Sequence, residues 1–248
     1  MAKSVLIILG SGLYDLLRSN MSRRIKVSTK YGVATITEIK GNGSSRTFVM
    51  LRHGSRQSVP PHLINYRANI QAAKDLGVDF IIATASVGAI NPKLSVGKYV
   101  IVDQFLDFTR HRDFTFYTDS KKGFKHTDMS RPYSEFVRMA LIKSLRSLKG
   151  LKFSIEGTYV CTEGPRFETP AEIEMYRRLG GDVVGMTGVP EVVLAREADI
   201  EYGTLAQVSN MAAGLQTEIT QSEVENIMHR SLLQTKSIIN KAVEDLTN

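Results

Sequence analysis

Short apolar runs rich in β-branched residues recur along this chain: "SVLIILG", "RTFVMLR", "DFIIATASVGAI", "KYVIVDQFLDF", "GTYVCTEG", "GDVVGMTG" and "YGTLAQVSN". Stretches of helical period separate most of them. Such alternation is expected of a largely parallel or mixed sheet covered by helices. The helical period predicts helices over residues 65–76, 134–148, 170–179, 190–198 and 222–246. Gly77 follows the first and Gly180-Gly181 the third, where a left-handed C-cap is easiest for glycine. The run "RHRDFTFYTDSKKGFKHTDMSRPYS" is polar, irregular and too long to be a mere connection. With no repeat, low-complexity tract or linker, residues 1–248 read as a single α/β domain with a central mixed β-sheet flanked by helices.

Composition narrows the function classes. No stretch approaches the roughly 18 apolar residues of a membrane span, and "MAKSVLIILGSGLYD" lacks a signal-peptide cleavage site, so a soluble, cytoplasmic protein is expected. Cys161 is the only cysteine, which excludes an internal disulfide and suits a reducing compartment. The net charge of +7 is spread along the chain without interleaved aromatic residues, so no nucleic-acid partner is expected. The five histidines show no metal-ligand spacing.

Four segments carry residues suited to chemistry. In "IILGSGLYD", residues 7–15, a glycine turn after a strand lets backbone N–H groups approach a phosphate, and Ser11 adds a hydroxyl. A plain tight turn or a dinucleotide loop are the other readings, the latter opposed by Asp15 where a third glycine belongs. In "LRHGSR", residues 51–56, Arg52 offers a planar fork for phosphate or carboxylate and His53 a further donor, provided its other nitrogen is paired. In "GMTGVPE", residues 185–191, Thr187 precedes a helix opened by Pro190 and Glu191. In "TEGPRFETPAEIEMYRRLG", residues 162–180, Glu163 and Glu168 flank a Gly-Pro turn; Glu168 or Thr169 can cap the helix that follows. Asn210, in "SNMAAG", ends an apolar run and reads on its own as a turn-tolerant strand end.

In order, "GSGL", "RHG…PPHLINYRANI", "SVGAI", "YVCTEGPRFETPAEIEMYRRLGGDVVGMTGVPEVVLARE" and "SNMAAG" resemble the trimeric purine nucleoside phosphorylase family, in the branch with methylthioadenosine and methylthioinosine phosphorylases. The resemblance spans the chain and is most specific at "EGPRFET" and "GMTGVPEVVLARE". It implies the single-domain nucleoside phosphorylase fold, a homotrimer or a dimer of trimers, and no metal or organic cofactor. Inorganic phosphate is the co-substrate that displaces the purine from the anomeric carbon.

By the same resemblance, Ser11, Arg52, His53, Thr187 and the backbone N–H around Ser86 cradle phosphate. Met186 lies against the ribose and Phe167 packs on sugar or base. Glu168 and Asn210 read the purine, with Asn210, Glu168 and His53 taken as the catalytic set. A carboxylate suits the N1–H of a 6-oxopurine, and an amide can serve O6 and N7. The 6-amino branch carries aspartates at the positions of Asn210 and Ala212 and a serine at Glu168. The residues here therefore favour hypoxanthine or guanine, with the methylthioadenosine enzyme as the alternative. At the 5′ end, Gln221 matches neither the apolar residues of methylthio enzymes nor the histidine of ordinary nucleoside enzymes, and Ile219 and Val224 stand nearby. His126 matches a residue that reaches the neighbouring subunit's 5′ pocket. Gln57 departs from a histidine common in the branch.

Overall fold

The structure, a computed structural model, describes residues 3–10, 21–39, 45–54 and 58–248. The first strand, β1 (Ser4–Leu9), is buried along its whole length. Its alternate residues feed two cores: Leu6 and Ile8 on one face, Val5, Ile7 and Leu9 on the other. A strand apolar on both sides can only sit inside a sheet that is covered twice.

β2 (Met21–Thr29) and β3 (Gly32–Ile39) form an antiparallel hairpin, and β4 (Arg46–Leu51) pairs with both β3 and β1. After α1 (Tyr66–Asp75) comes β5 (Phe80–Ala89), then β6 (Tyr99–Ile101), β7 (Gln104–Phe108), α2 (Glu135–Ser147) and β8 (Phe153–Ser154). The chain continues through β9 (Thr158–Thr162), α3 (Pro170–Arg178), β10 (Val183–Gly185), α4 (Gly188–Glu197), β11 (Glu201–Met211), α5 (Gln221–Arg230) and α6 (Leu232–Thr247). Among the described residues the strands join in one mixed sheet, in the order β2-β3-β4-β1-β5-β10-β9-β7. Strand β11 branches off β5 and leads through β6 to β8. Helices α1 and α4 cover one face, and α2 and α6 pack together on the other. The expected single α/β domain with a helix-flanked mixed sheet is what the chain forms.

Four local expectations need correction. The hairpin β2–β3 goes unpredicted because its charged, alternating sequence hides the face on which Ile25 and Val27 meet Ile36 and Ala34. The run "KYVIVDQFLDF" is not one strand: β6 pairs with β11 and β8, whereas β7 crosses to pair with β9. The helix expected over 222–246 breaks at Ser231, whose hydroxyl donates to Gln207 Oε1 of β11 at 2.8 Å. Asn210 does not end its strand; β11 runs on to Met211 through a register shift between Val208 and Asn210.

The topology opens a gap at β5. One edge of β5 is taken by β11 along its length, from Glu201↔Phe80 to Met211↔Ala89. On the other edge β1 pairs only as far as Ile8↔Ala83, and β10 begins, antiparallel, at Val184↔Gly88. Residues between Ala83 and Gly88 thus face a crevice where the partner strand changes, the place where open α/β sheets bind ligands.

Candidate active site

That crevice is a cavity of about 360 Å³. It brings together Arg52, His53, Ser86, Phe167, Glu168, Met186, Thr187, Asn210, Ala212 and Gln221, residues drawn from most of the length of the chain. Ser11 and Gln57 lie outside the described residues. His126 does not line the cavity; it stands in the long loop with its ring edge-on to exposed Phe124.

Arg52 is delivered by the end of β4 and is 3% exposed. Its backbone N–H donates to the Leu9 carbonyl, which ties it to the end of β1. Its Nε and one Nη form a fork on Glu191 at 2.8 and 2.7 Å, and the other Nη donates to the Thr84 carbonyl at 2.8 Å. Three of the five guanidinium N–H groups are used, which leaves one on each terminal nitrogen. Burial alone would lower the Arg52 pKa, but the Glu191 carboxylate more than offsets this and raises it, so the side chain stays cationic. Gly10 leaves room for the fork: a Cβ there would lie 3.1 Å from its Nη1.

Thr84 presents its carbonyl to Arg52 on the open edge, and a strand returns to the same edge every second residue. The Ser86 N–H therefore faces the crevice too, and the buried Ser86 hydroxyl has no hydrogen-bond partner. Thr187 is the N-cap of α4, yet its side chain makes no capping bond and is free for a ligand. The His53 Nδ1 lies 2.9 Å from the Val59 carbonyl. In the neutral ring Nδ1 must carry the proton it donates, and Nε2 then presents a lone pair rather than the expected donor. Burial lowers the His53 pKa, outweighing the bond to Val59, and Arg52 adds to the lowering.

Asn210 pairs with Gly88, about 13 Å along β5 from Thr84, four residues at ~3.3 Å each. Glu168, buried, accepts from the Thr162 hydroxyl at 2.7 Å. Burial raises its pKa despite that bond. The cap of α3 is Thr169, not Glu168: Thr169 and Glu172 form a reciprocal capping box, which frees Glu168 to point inward. Asn210 donates from Nδ2 to the Met211 carbonyl at 2.9 Å and accepts from the Ser209 hydroxyl at 2.8 Å. One N–H and one lone pair of the amide remain. Gly88 lies close beside it, and a Cβ there would stand 3.1 Å from Nδ2, a tight contact. Ala212 is 1% exposed and belongs to an apolar cluster with Ile90, Val160, Ile173, Tyr176 and Val184. A carboxylate at this position would stand against those apolar side chains.

Between the two groups the wall is apolar, from Met186, Val59, Pro60, Pro61 and Pro165, with Phe167 41% exposed at the mouth. Gln221, at the start of α5, bonds Glu225 at 2.8 Å, and Val224 lines the cavity beside them. Glu163 stays outside the cavity, where it accepts from the Arg110 N–H. Cys161 is core, its thiol pushed up to about 12 by burial. Among the described residues no group of three His, Cys, Asp or Glu side chains is placed to hold a metal ion.

Sequence reasoning missed the residues that hold these groups: Glu191 for Arg52, Thr162 for Glu168, and buried Arg112. Arg112 donates to the Thr162, Glu163 and Val189 carbonyls, which joins the two loops that carry Glu168 and Thr187. The available signal was an isolated acid in the apolar run "GVPEVVLA".

The sequence pattern of the Phosphorylase superfamily matches residues 4–244. The 6-oxopurine nucleoside phosphorylase of Pyrococcus furiosus is 48% identical over 232 residues, covering 91% of this chain and 86% of its own. The probable S-methyl-5′-thioinosine phosphorylase of Methanothermobacter thermautotrophicus is 44% identical over 243 residues, covering 97% and 83%. Among solved structures, a methylthioadenosine phosphorylase from Schistosoma mansoni in complex with adenine aligns with a TM-score of 0.90 at 32% identity, covering 98% of this chain and 91% of that one. A pattern that spans the whole sheet, relatives at this identity and a cavity at the strand-switch point together establish that the chain belongs to the phosphorylase superfamily, in the branch of 6-oxopurine nucleoside and S-methyl-5′-thioinosine phosphorylases.

Proposed function

We propose that the protein cleaves 6-oxopurine nucleosides with inorganic phosphate, releasing hypoxanthine or guanine and ribose 1-phosphate or its 5-methylthio analogue. The observation that carries this is the pairing, in one cavity, of the Arg52 fork with the Glu168 and Asn210 reading groups. Phosphate is the sole co-substrate, and no metal or organic cofactor takes part.

Hydrogen phosphate is already a nucleophile, so the protein's first task is to orient it. The two remaining Arg52 N–H groups, the Ser86 N–H and hydroxyl, and the Thr187 hydroxyl supply donors, with Ser11 as a further one. The His53 Nε2 lone pair suits the P–O–H proton. A phosphate oxygen bonds C1′ as the C1′–N9 bond breaks, and the electron pair leaves on the purine. Overall, the proton of hydrogen phosphate balances the one the free purine gains. Asn210 meets N7 and O6 as charge builds there, and Glu168 accepts N1–H. Adenine offers no N1 proton, and the mismatch costs a few kcal/mol, about a hundredfold or more in discrimination.

The 5′ substituent is the finer question. Gln221 and Glu225 favour a hydroxyl and Val224 a methylthio group, so methylthioinosine is a second substrate reading, supported by the 44% identical relative. Phe167, at the mouth, covers the sugar. The working form is a cytoplasmic homotrimer or dimer of trimers, free of nucleic acid and membrane. A phosphate-dependent activity panel of inosine, guanosine, adenosine, methylthioinosine and methylthioadenosine tests all of this. Turnover of the 6-oxo substrates is expected. Preferential turnover of methylthioadenosine, the activity named for the Schistosoma mansoni structure, would replace the reading.

A further inference from the structure

Glu191 is fully buried within α4, among apolar neighbours such as Val192 and Leu194. Placing a carboxylate there is costly unless it is paired, and buried pairs are often no more stabilising than apolar residues of the same volume. Stability alone therefore does not explain it.

What the pair does provide is geometry. Glu191 takes the Nε/Nη2 edge of Arg52 with both oxygens, at 2.8 and 2.7 Å, and Thr84 takes Nη1 from a different element. The guanidinium plane is fixed at three points. Glu191 is itself held: the Tyr202 hydroxyl, from β11, donates to Oε1 at 2.8 Å. Gly10 leaves room beside the guanidinium, since a Cβ there would lie 3.1 Å from Nη1. The chain Tyr202–Glu191–Arg52 thus crosses from β11 through α4 to β4, and every link is buried.

We propose that Glu191, braced by Tyr202, is a positioning residue that sets the Arg52 guanidinium so that its two unused N–H groups converge on phosphate. This rests on the reading of the cavity as a phosphate-dependent site. Because Glu191 also cancels the Arg52 charge, phosphate is held by aimed hydrogen bonds more than by net charge. Losing the aim should therefore appear in the chemical step and not as a simple change of attraction.

The test compares Glu191→Gln and Tyr202→Phe with the wild type. Readouts are kcat and KM for phosphate, the affinity for hypoxanthine alone by calorimetry, and thermal melting. Glu191→Gln keeps the shape but turns an NH2 toward a guanidinium N–H. It is expected to lower kcat/KM for phosphate about tenfold or more, with kcat affected and hypoxanthine affinity within about twofold of wild type. Tyr202→Phe should move the same constants the same way by roughly two- to fivefold, and it decides the matter if the first variant does not fold. Unchanged phosphate constants overturn the proposal. So does tighter phosphate binding at unchanged kcat, which would make Glu191 a charge balancer only, and so does a parallel fall in hypoxanthine affinity. A wild type without phosphate-dependent cleavage of any nucleoside would instead remove the functional reading itself.

Discussion

Glu168 is a carboxylate whose proposed use depends on being ionised in a place that resists ionisation. Burial raises its pKa against the bond from Thr162. An acid with a raised pKa takes up its proton earlier as pH falls, and the protonated group can no longer simply accept N1–H. For inosine, kcat/KM is therefore expected to fall on the acid side through a value above the ordinary 4.5, and Glu168→Gln to lower the plateau and abolish that limb; pH–rate profiles of both proteins check this. Asn210 gives a second prediction. Aspartate cannot donate to the Met211 carbonyl as Nδ2 does, so Asn210→Asp sets two oxygens against each other at about 1–3 kcal/mol in stability. It should also depress activity on 6-oxopurines and relatively favour 6-amino ones; an unchanged preference in a two-substrate competition would sink the base-reading role. That Arg52, Glu168 and Asn210 belong together was legible only through the family resemblance, because each alone reads as an ordinary turn, capping or strand-end residue. Their holders were not, since Thr162, Glu191 and Tyr202 become partners only when distant elements meet.

At the scale of elements, the caps and turns were the most legible features, because they are local. Asn65 and Ser134 cap α1 and α2, and Gly77 and Gly180 take positive φ where the helices stop. The box between Thr169 and Glu172 starts α3 directly after Glu168. Thr169→Ala should cost about 1 kcal/mol, which in a chain of this size lowers the melting temperature by roughly 2–4 °C in calorimetry. A larger drop would mean that the box also holds the loop before it. Three element-level failures share one cause. The hairpin β2–β3, the split of β6 from β7 and the break at Ser231 are all decided by which strand lies alongside, and local periodicity does not contain that.

The cavity belongs to the whole molecule, since it exists only where β1 stops and β10 starts beside β5. His126 and Phe124 raise a question one scale higher, because both stand away from the cavity of their own chain. The family resemblance implies that in the proposed trimer this loop reaches a neighbouring subunit. His126→Ala is then expected to raise the nucleoside KM roughly two- to tenfold, the worth of one hydrogen bond, with the phosphate KM unchanged. Sedimentation must find the oligomer; a fully active monomer would remove the role. The sequence by itself determined the alternation of strands and helices, the helix stops and, through the family resemblance, most of the groups that line the cavity, because period, capping and motif are properties of neighbours along the chain. Only the tertiary structure decided that β5 changes partners at Ala83–Gly88, that the free nitrogen of His53 is a lone pair and that Arg52 is aimed by Glu191. Those facts depend on contacts between residues up to 139 positions apart, which no local pattern encodes.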